Sequence, residues 1–177
     1  MVGTHPVDQL MDEHRVIERV LTAMEKKTAQ LDAKTFPGEF FEQALDFFRN
    51  FADGCHHHKE EQTLFPMLKS RGVPEQGGPI GCMLKDHEQG RSYLAGIRSN
   101  LESAKSGSPD AVEAVRHNAN EYIGMLRQHI FKEDNVLFRL AHHVLTPADT
   151  QALEEQFERA GRGDHEKYHA LADQLAG

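Results

Sequence analysis

The sequence has no tryptophan, only two cysteines, little aromatic content and no long apolar run among its 177 residues. Each shortage excludes something. Two cysteines cannot form a disulfide framework, and they fit a reduced, cytoplasmic setting. Apolar runs of a few residues are too short to cross a bilayer. The opening MVGTHPVDQLMDEH has neither a basic n-region nor an apolar h-region, so no secretory signal is expected. Positive charge is also scarce. The net charge of −8 argues against nucleic acid, whose binders present a basic face, and against anionic membrane surfaces. There is no internal repeat, no low-complexity segment and no alternation long enough for a strand. A chain of this length buries a sizeable core unaided, so a metal here would serve function rather than foldability.

What the sequence does have is histidine, twelve in all, including an internal HHH run. Imidazole is the commonest side-chain metal ligand. The apolar spacing predicts an all-α protein: an up-down-up-down four-helix bundle over residues 1–145, with short flanking helices in an extension over 146–177 that packs on it. The first helix runs from about Pro6 to Leu31. The second opens at Thr35, Phe36 and Pro37 and continues to about Ser70, with Pro66 kinking its last turns. Residues 71–79 form a loop. The third helix runs from Pro79 to near Gly107. The fourth opens on the cap Ser108-Pro109 and ends near Val144. Thr146-Pro147 with Asp149 starts a short helix, which a break at 161–164 separates from the terminal turns.

Helical phase then places the histidines. At about 100° per residue, His14, His87 and His129 each fall on the apolar stripe of their helix, as does Glu133. In the second helix the same count puts His57 and Glu61 on the core face, with His58 close to it. His56 then faces water, and Glu60 lies about 100° away. Four inward histidines and two inward glutamates demand a shared positive charge, because an unpartnered buried carboxylate costs several kcal/mol. Imidazole with carboxylate suits iron, zinc, copper or manganese. Six or more ligands spread over four helices match a dinuclear carboxylate site, and iron is the expected ion.

The strings LMDEHRVI (10–17), HHKEEQTLFPML (57–68), KDHEQGR (85–91) and RQHIFKEDNVLF (127–138) resemble the hemerythrin-like, or HHE cation-binding, family over about residues 5–145. The resemblance implies a four-helix bundle enclosing two iron ions joined by an oxo or hydroxo bridge. His14, His57, His87 and His129 match its terminal ligands, and Glu61 and Glu133 its bridging carboxylates. The oxygen carriers of that family supply H-x3-H from the third helix, whereas here the second position is Arg91. Arginine cannot ligate, so His58 is the expected substitute and Glu18 a weaker one. Arg91 could then stabilise bound peroxide or a carboxylate. Tyr122, two turns before His129 on the same face, is read as a ligand, as a hydrogen-bond donor to bound oxygen, or as core. Cys55 and Cys82 are read as structural thiols, and His117, His142 and His143 as exposed.

Three functional readings follow. The chain is a di-iron protein that binds or reacts with dioxygen, peroxide or nitric oxide, an oxidoreductase if it turns over. Alternatively it senses or stores iron or oxygen without turnover. A remote third reading takes His165, Glu166 and His169 as the HExxH of a zinc peptidase. The expected partner is a small diatomic or peroxide ligand. The sequence leaves open whether the protein forms a homodimer.

Overall fold

A computed structural model describes residues 5–160 and 165–177, and the break expected at 161–164 lies outside the described residues. Among the described residues there are six helices and no strand. They are α1 (Pro6–Ala29), α2 (38–70), α3 (Pro79–Lys105), α4 (109–144), α5 (Pro147–Ala160) and α6 (His165–Ala176). The long rods α1 to α4 form the up-down-up-down bundle.

Their ends follow from local chemistry. His5 caps α1 by accepting the Val7 N–H at Nδ1, and Pro6 occupies a first-turn position whose N–H would be unpaired anyway. Ser108 caps α4 in the same manner, its Oγ accepting from the Ala111 N–H, again with Pro following. Between α3 and α4 the chain reverses through Gly107 at φ 86°, a left-handed conformation that favours glycine. At α5 the cap is reciprocal. Thr146 Oγ1 accepts from the Asp149 N–H at 3.3 Å, and Asp149 Oδ2 accepts from the Thr146 N–H at 2.8 Å. Arg71, just past α2, then donates to both Asp149 oxygens at 2.8 Å. That pairing ties the end of the bundle to α5.

Helix α2 is not the uniform α-helix that the spacing predicts. Gly38–Phe47 and Phe65–Ser70 are α-helical, but Phe48–His57 and Glu60–Leu64 are wound as wider π turns. Pro66 supplies one cause. It has no N–H for the bond one turn back, and its ring crowds the preceding carbonyls. The chain relaxes that conflict with i→i+5 turns immediately upstream. Thr63 Oγ1 donates to the Lys59 carbonyl in the same region. Helix α4 carries a single such stretch, Glu133–Leu137, between Pro109–Lys132 and Phe138–Val144.

Buried apolar side chains form two separate clusters. One surrounds Ile17, Phe47, Phe48, Ile97, Val115 and Tyr122. The other surrounds Leu10, Leu64, Phe65, Ile80, Leu137 and Phe138. On α1, α2 and α3 the buried histidines fall between the two, and on α4 His129 stands at the edge of the first cluster with Glu133 between them, so the bundle holds a polar layer sandwiched by apolar ones. Helices α3 and α4 pack most extensively on each other. Gly90 permits that approach beside the layer, because a Cβ there would stand 3.0 Å from Met125 Cε and 3.4 Å from the Tyr122 ring. Helix α6 lies against α1 and α2 and contributes Tyr168, Ala172 and Leu175 to the first cluster. Phe157 of α5 joins the second. Among the described residues no helix is long and apolar enough to cross a membrane.

Candidate metal centre

Two groups of buried ligand atoms face each other in the polar layer. His57, Glu60, His87 and His129 form one, and His14, His56, Glu60 and Glu133 the other; within each group the ligand atoms lie within 4.8 Å of one another. Glu60 belongs to both. Its Oε1 is 3.5 Å from His56 Nε2 and its Oε2 3.3 Å from His87 Nε2, one oxygen towards each group. Glu133 also spans them, its Oε2 standing 3.2 Å from both His14 Nε2 and His129 Nε2.

These atoms approach one another without forming hydrogen bonds. The Nε2 atoms of His14, His56, His87 and His129 and both oxygens of Glu60 and Glu133 are buried and have no hydrogen-bond partner. Leaving that many polar atoms unsatisfied is costly, and it marks a constellation shaped for something that binds there. The donor set, imidazole nitrogen and carboxylate oxygen without thiolate, fits iron, zinc or manganese.

The outward nitrogens show a consistent pattern. Each Nδ1 meets a carboxylate: His14 that of Asp134 at 2.7 Å, His56 that of Glu13 at 2.9 Å, His57 that of Asp53 at 3.3 Å, His87 that of Glu61 at 2.7 Å and His129 that of Asp86 at 3.3 Å. Such a carboxylate fixes the tautomer that leaves Nε2 free for a metal and raises its basicity. Every carboxylate in turn meets a cation. Arg15 pairs with Asp134, Lys59 with Glu13, Lys132 with Asp86, and Arg91 with both Asp53 and Glu61. With neutral imidazoles, these four cations stand against seven carboxylates, a surplus of three negative charges. Bound metal cations would neutralise it, and so would protons on the imidazoles.

The proton affinities follow from this environment. Burial works against the His129 imidazolium, but the Glu133 charge beside it and the hydrogen bond to Asp86 push its pKa up to about 10. Burial likewise opposes His14, and the hydrogen bond to Asp134 together with the nearby Glu133 charge outweighs that and raises it to about 9. His57 goes the other way: burial and the neighbouring His87 imidazole, stacked at 3.8 Å, hold it well below the ordinary value despite Asp53. The hydrogen bond from His87, with help from Arg91, lowers Glu61 to about 2.

The expected site residues therefore divide. His14, His57, His87, His129 and Glu133 contribute atoms to the two groups. His58 and Glu61 require correction. His58 is exposed, and Glu61 points at the outer nitrogen of His87 rather than into either group. His56 and Glu60, expected outside the core, are buried at its middle. The physical reason is the wide winding of α2: a π turn holds more residues than an α turn, so successive side chains sweep a smaller angle and adjacent His56 and His57 both reach inward. The run HHHKEE contains two overlapping H-x3-E registers, 56/60 and 57/61, and only the interruption of the helix separates them. The same effect in α4 sets Glu133 and Asp134 against opposite nitrogens of His14, although regular phase sends Asp134 far off the stripe.

Arg91 stands outside the centre, donating to Asp53 at 2.9 Å from Nε and to Glu61 at 2.6 Å from Nη2. Tyr122 is buried edge-on against Phe48 and belongs to neither ligand group. Glu18 is half-buried on the outside of α1 and pairs with Arg15. His142 pairs with Asp8 and packs at a tilt against the His5 ring. Residues that phase reasoning passed over are Glu13 and Lys59, both fully interior, and the outer carboxylates Asp53 and Asp86. As for the HExxH of α6, the His165 and His169 rings pack at 4.4 Å on each other and each at 5.6 Å on Phe51. His165 Nε2 is 3.5 Å from Glu13, Glu166 is exposed, and this pair gathers no third ligand among the described residues.

Comparison with known proteins agrees with this geometry. An uncharacterized protein of Mycobacterium tuberculosis is 27% identical over 157 residues, covering 88% of this chain and 60% of that one. The iron-sulfur cluster repair protein YtfE of Escherichia coli O1:K1 is 29% identical over 139 residues, covering 76% of this chain and 62% of its own length. In Escherichia coli O157:H7 the protein of the same name is 37% identical over 86 residues, covering 47% and 39%. The chain thus spans about three-fifths or less of the length of these relatives. The family model of the hemerythrin HHE cation binding domain matches residues 5–141, and the chain belongs to that family.

Proposed function

We propose that the chain is a non-haem di-iron protein that binds or reacts with dioxygen, peroxide or nitric oxide inside the bundle. The observation that carries this reading is Glu60, which directs one oxygen to each of two histidine-rich groups. One shared carboxylate between two ligand sets is the arrangement of a dinuclear centre. His57, His87 and His129 would hold one iron, His14 and His56 the other, and Glu60 and Glu133 would join them. A pair of adjacent irons supplies one- or two-electron exchange with a small oxidant.

The remaining roles fall to this chain's residues. Apolar layers on both sides, with Phe138 stacked on His14 at 5.5 Å and Phe65 on His87 at 5.9 Å, exclude bulk water and restrict entry to small molecules. The outer carboxylates hold each imidazole in its ligating tautomer. Their cations keep them ionised and fixed. Similarity to a protein named for iron-sulfur cluster repair supports a second reading, in which the same iron is supplied to or exchanged with other iron sites.

Metal analysis of protein purified without chelator tests the proposal. About two iron atoms per chain, with Mössbauer signals of a coupled pair, is the expected result. A single zinc without iron would overturn it. Rates of peroxide and nitric oxide consumption then separate turnover from binding alone.

A further inference from the structure

One cavity of the bundle lies outside the metal centre yet touches its support. It encloses about 250 Å³ between α2 and α3. Arg49, Arg91 and Arg98 line it, Leu45, Leu94 and Ala95 give it an apolar wall, and Asp53 is its one acidic residue. In a chain of net charge −8, a pocket with three guanidinium groups and a single carboxylate is a local reversal of sign.

The three arginines are not equivalent. Arg91 is engaged by Asp53 and Glu61. Arg49 and Arg98 form no ion pair and no side-chain hydrogen bond among the described residues. Acidic residues do stand nearby, in the groove that shares Leu45, Arg49 and Arg98 with this pocket. They have other partners. Lys105 takes Glu42 and Glu102, and Asn50 takes Asp46. Two guanidinium forks are therefore open to an incoming oxyanion, and each matches the two oxygens of a carboxylate or phosphate.

From this we infer that the pocket binds a small organic anion, its carboxylate or phosphate held by Arg49 and Arg98 and its short apolar body against Leu45, Leu94 and Ala95. The volume limits the ligand to metabolite size, below that of most drug-sized sites. The pocket reaches the metal layer in one further step, since Asp53 holds both Arg91 and His57. An anion that draws on Arg91 would loosen the carboxylates behind His57 and His87. That coupling rests on the di-iron reading; the binding itself does not.

Titration calorimetry of the protein as purified, with butyrate, acetate and inorganic phosphate as probes, tests the inference. Butyrate is expected to bind saturably and more tightly than acetate, by about three- to fourfold for each methylene buried. The double variant Arg49→Ala, Arg98→Ala, at exposed positions, is expected to weaken butyrate at least tenfold while its circular dichroism and metal content stay unchanged. No saturable binding of butyrate would overturn the inference, and so would equal affinity in the double variant. Phosphate binding with no preference for butyrate over acetate would overturn the organic ligand. If butyrate binds the chelated protein as well as the iron-loaded one, the site stands even where the di-iron reading fails.

Discussion

Glu13 accepts a hydrogen bond from Nδ1 of His56 at 2.9 Å, and both side chains are almost completely buried. The other Glu13 oxygen meets the ammonium of Lys59, which has no exposed surface. A buried cation, a buried anion and an imidazole of the candidate metal centre thus form one chain. Truncating Glu13 to alanine strands Lys59 as an unpaired interior charge, expected to cost about 3–5 kcal/mol of stability. Glu13→Gln keeps the volume and loses the charge. It is expected to weaken metal binding by about 10- to 100-fold through the loss of the carboxylate behind His56. Thermal denaturation and metal titration read the two effects separately.

The register of α2 makes a sharper test. Glu60→Gln removes the oxygen pair shared by both ligand groups, so the paired metal signature should disappear. Glu61→Gln leaves both groups intact. It alters only the bond behind His87 and the contact with Arg91, so metal should remain at about a tenth or less of the native affinity. If Glu61→Gln abolished the pair and Glu60→Gln preserved it, the regular-helix register would be the correct one. Metal content and spectra of the two variants decide.

That comparison also shows where the sequence could be read and where it could not. Helix existence, order and caps were legible because Ser108-Pro109 and Thr146-Pro147 act locally, through single side chains and single N–H groups. His14, His87 and His129 were legible because the helices around them keep a regular period up to the site. His56 and Glu60 were not, because an angle counted at 3.6 residues per turn fails across wide turns. Pro66 was the available signal, yet it does not say how many residues the turn gains. The outer carboxylates come from different helices or from off-stripe positions, and only packing reveals that each meets an imidazole.

Tyr122 offers a contrast between position and role. It lies near the centre, and burial together with the Asp53 charge pushes its phenol well above the ordinary value, so it stays protonated. Its hydroxyl donates to no group among the described residues. Tyr122→Phe should therefore keep its edge contact with Phe48, change stability by less than about 1 kcal/mol and leave metal content unaltered. A large fall in metal content in this variant would make the hydroxyl part of the site.

Metal removal should lower the melting temperature, because a ligand that binds only the folded state stabilises it by mass action. At free metal one hundredfold above Kd the gain is about 2.7 kcal/mol. For a chain of this size that corresponds to roughly 5–10 °C. Calorimetry before and after chelation, followed by reloading with iron, measures it. An unchanged transition would mean that the polar layer is satisfied by protons alone.

The Arg71–Asp149 pair gives a pH dependence remote from the metal. The bidentate bond from Arg71 holds the Asp149 carboxyl well below the usual carboxylate range, and the backbone and side chain of Thr146 add to the effect. A folded pKa below the unfolded one means that the folded state favours the ionised form. The contribution is therefore complete above the unfolded value of about 3.9 and is lost as pH falls from there towards the lower folded value. Asp149→Asn should melt at a lower temperature than the native protein by a constant margin between about pH 5 and 8, and the margin should shrink below about pH 4. Arg71→Met should reproduce the loss without the native curve's acid dependence from this pair. A margin that widened on acidification would contradict the sign and place the titrating group elsewhere.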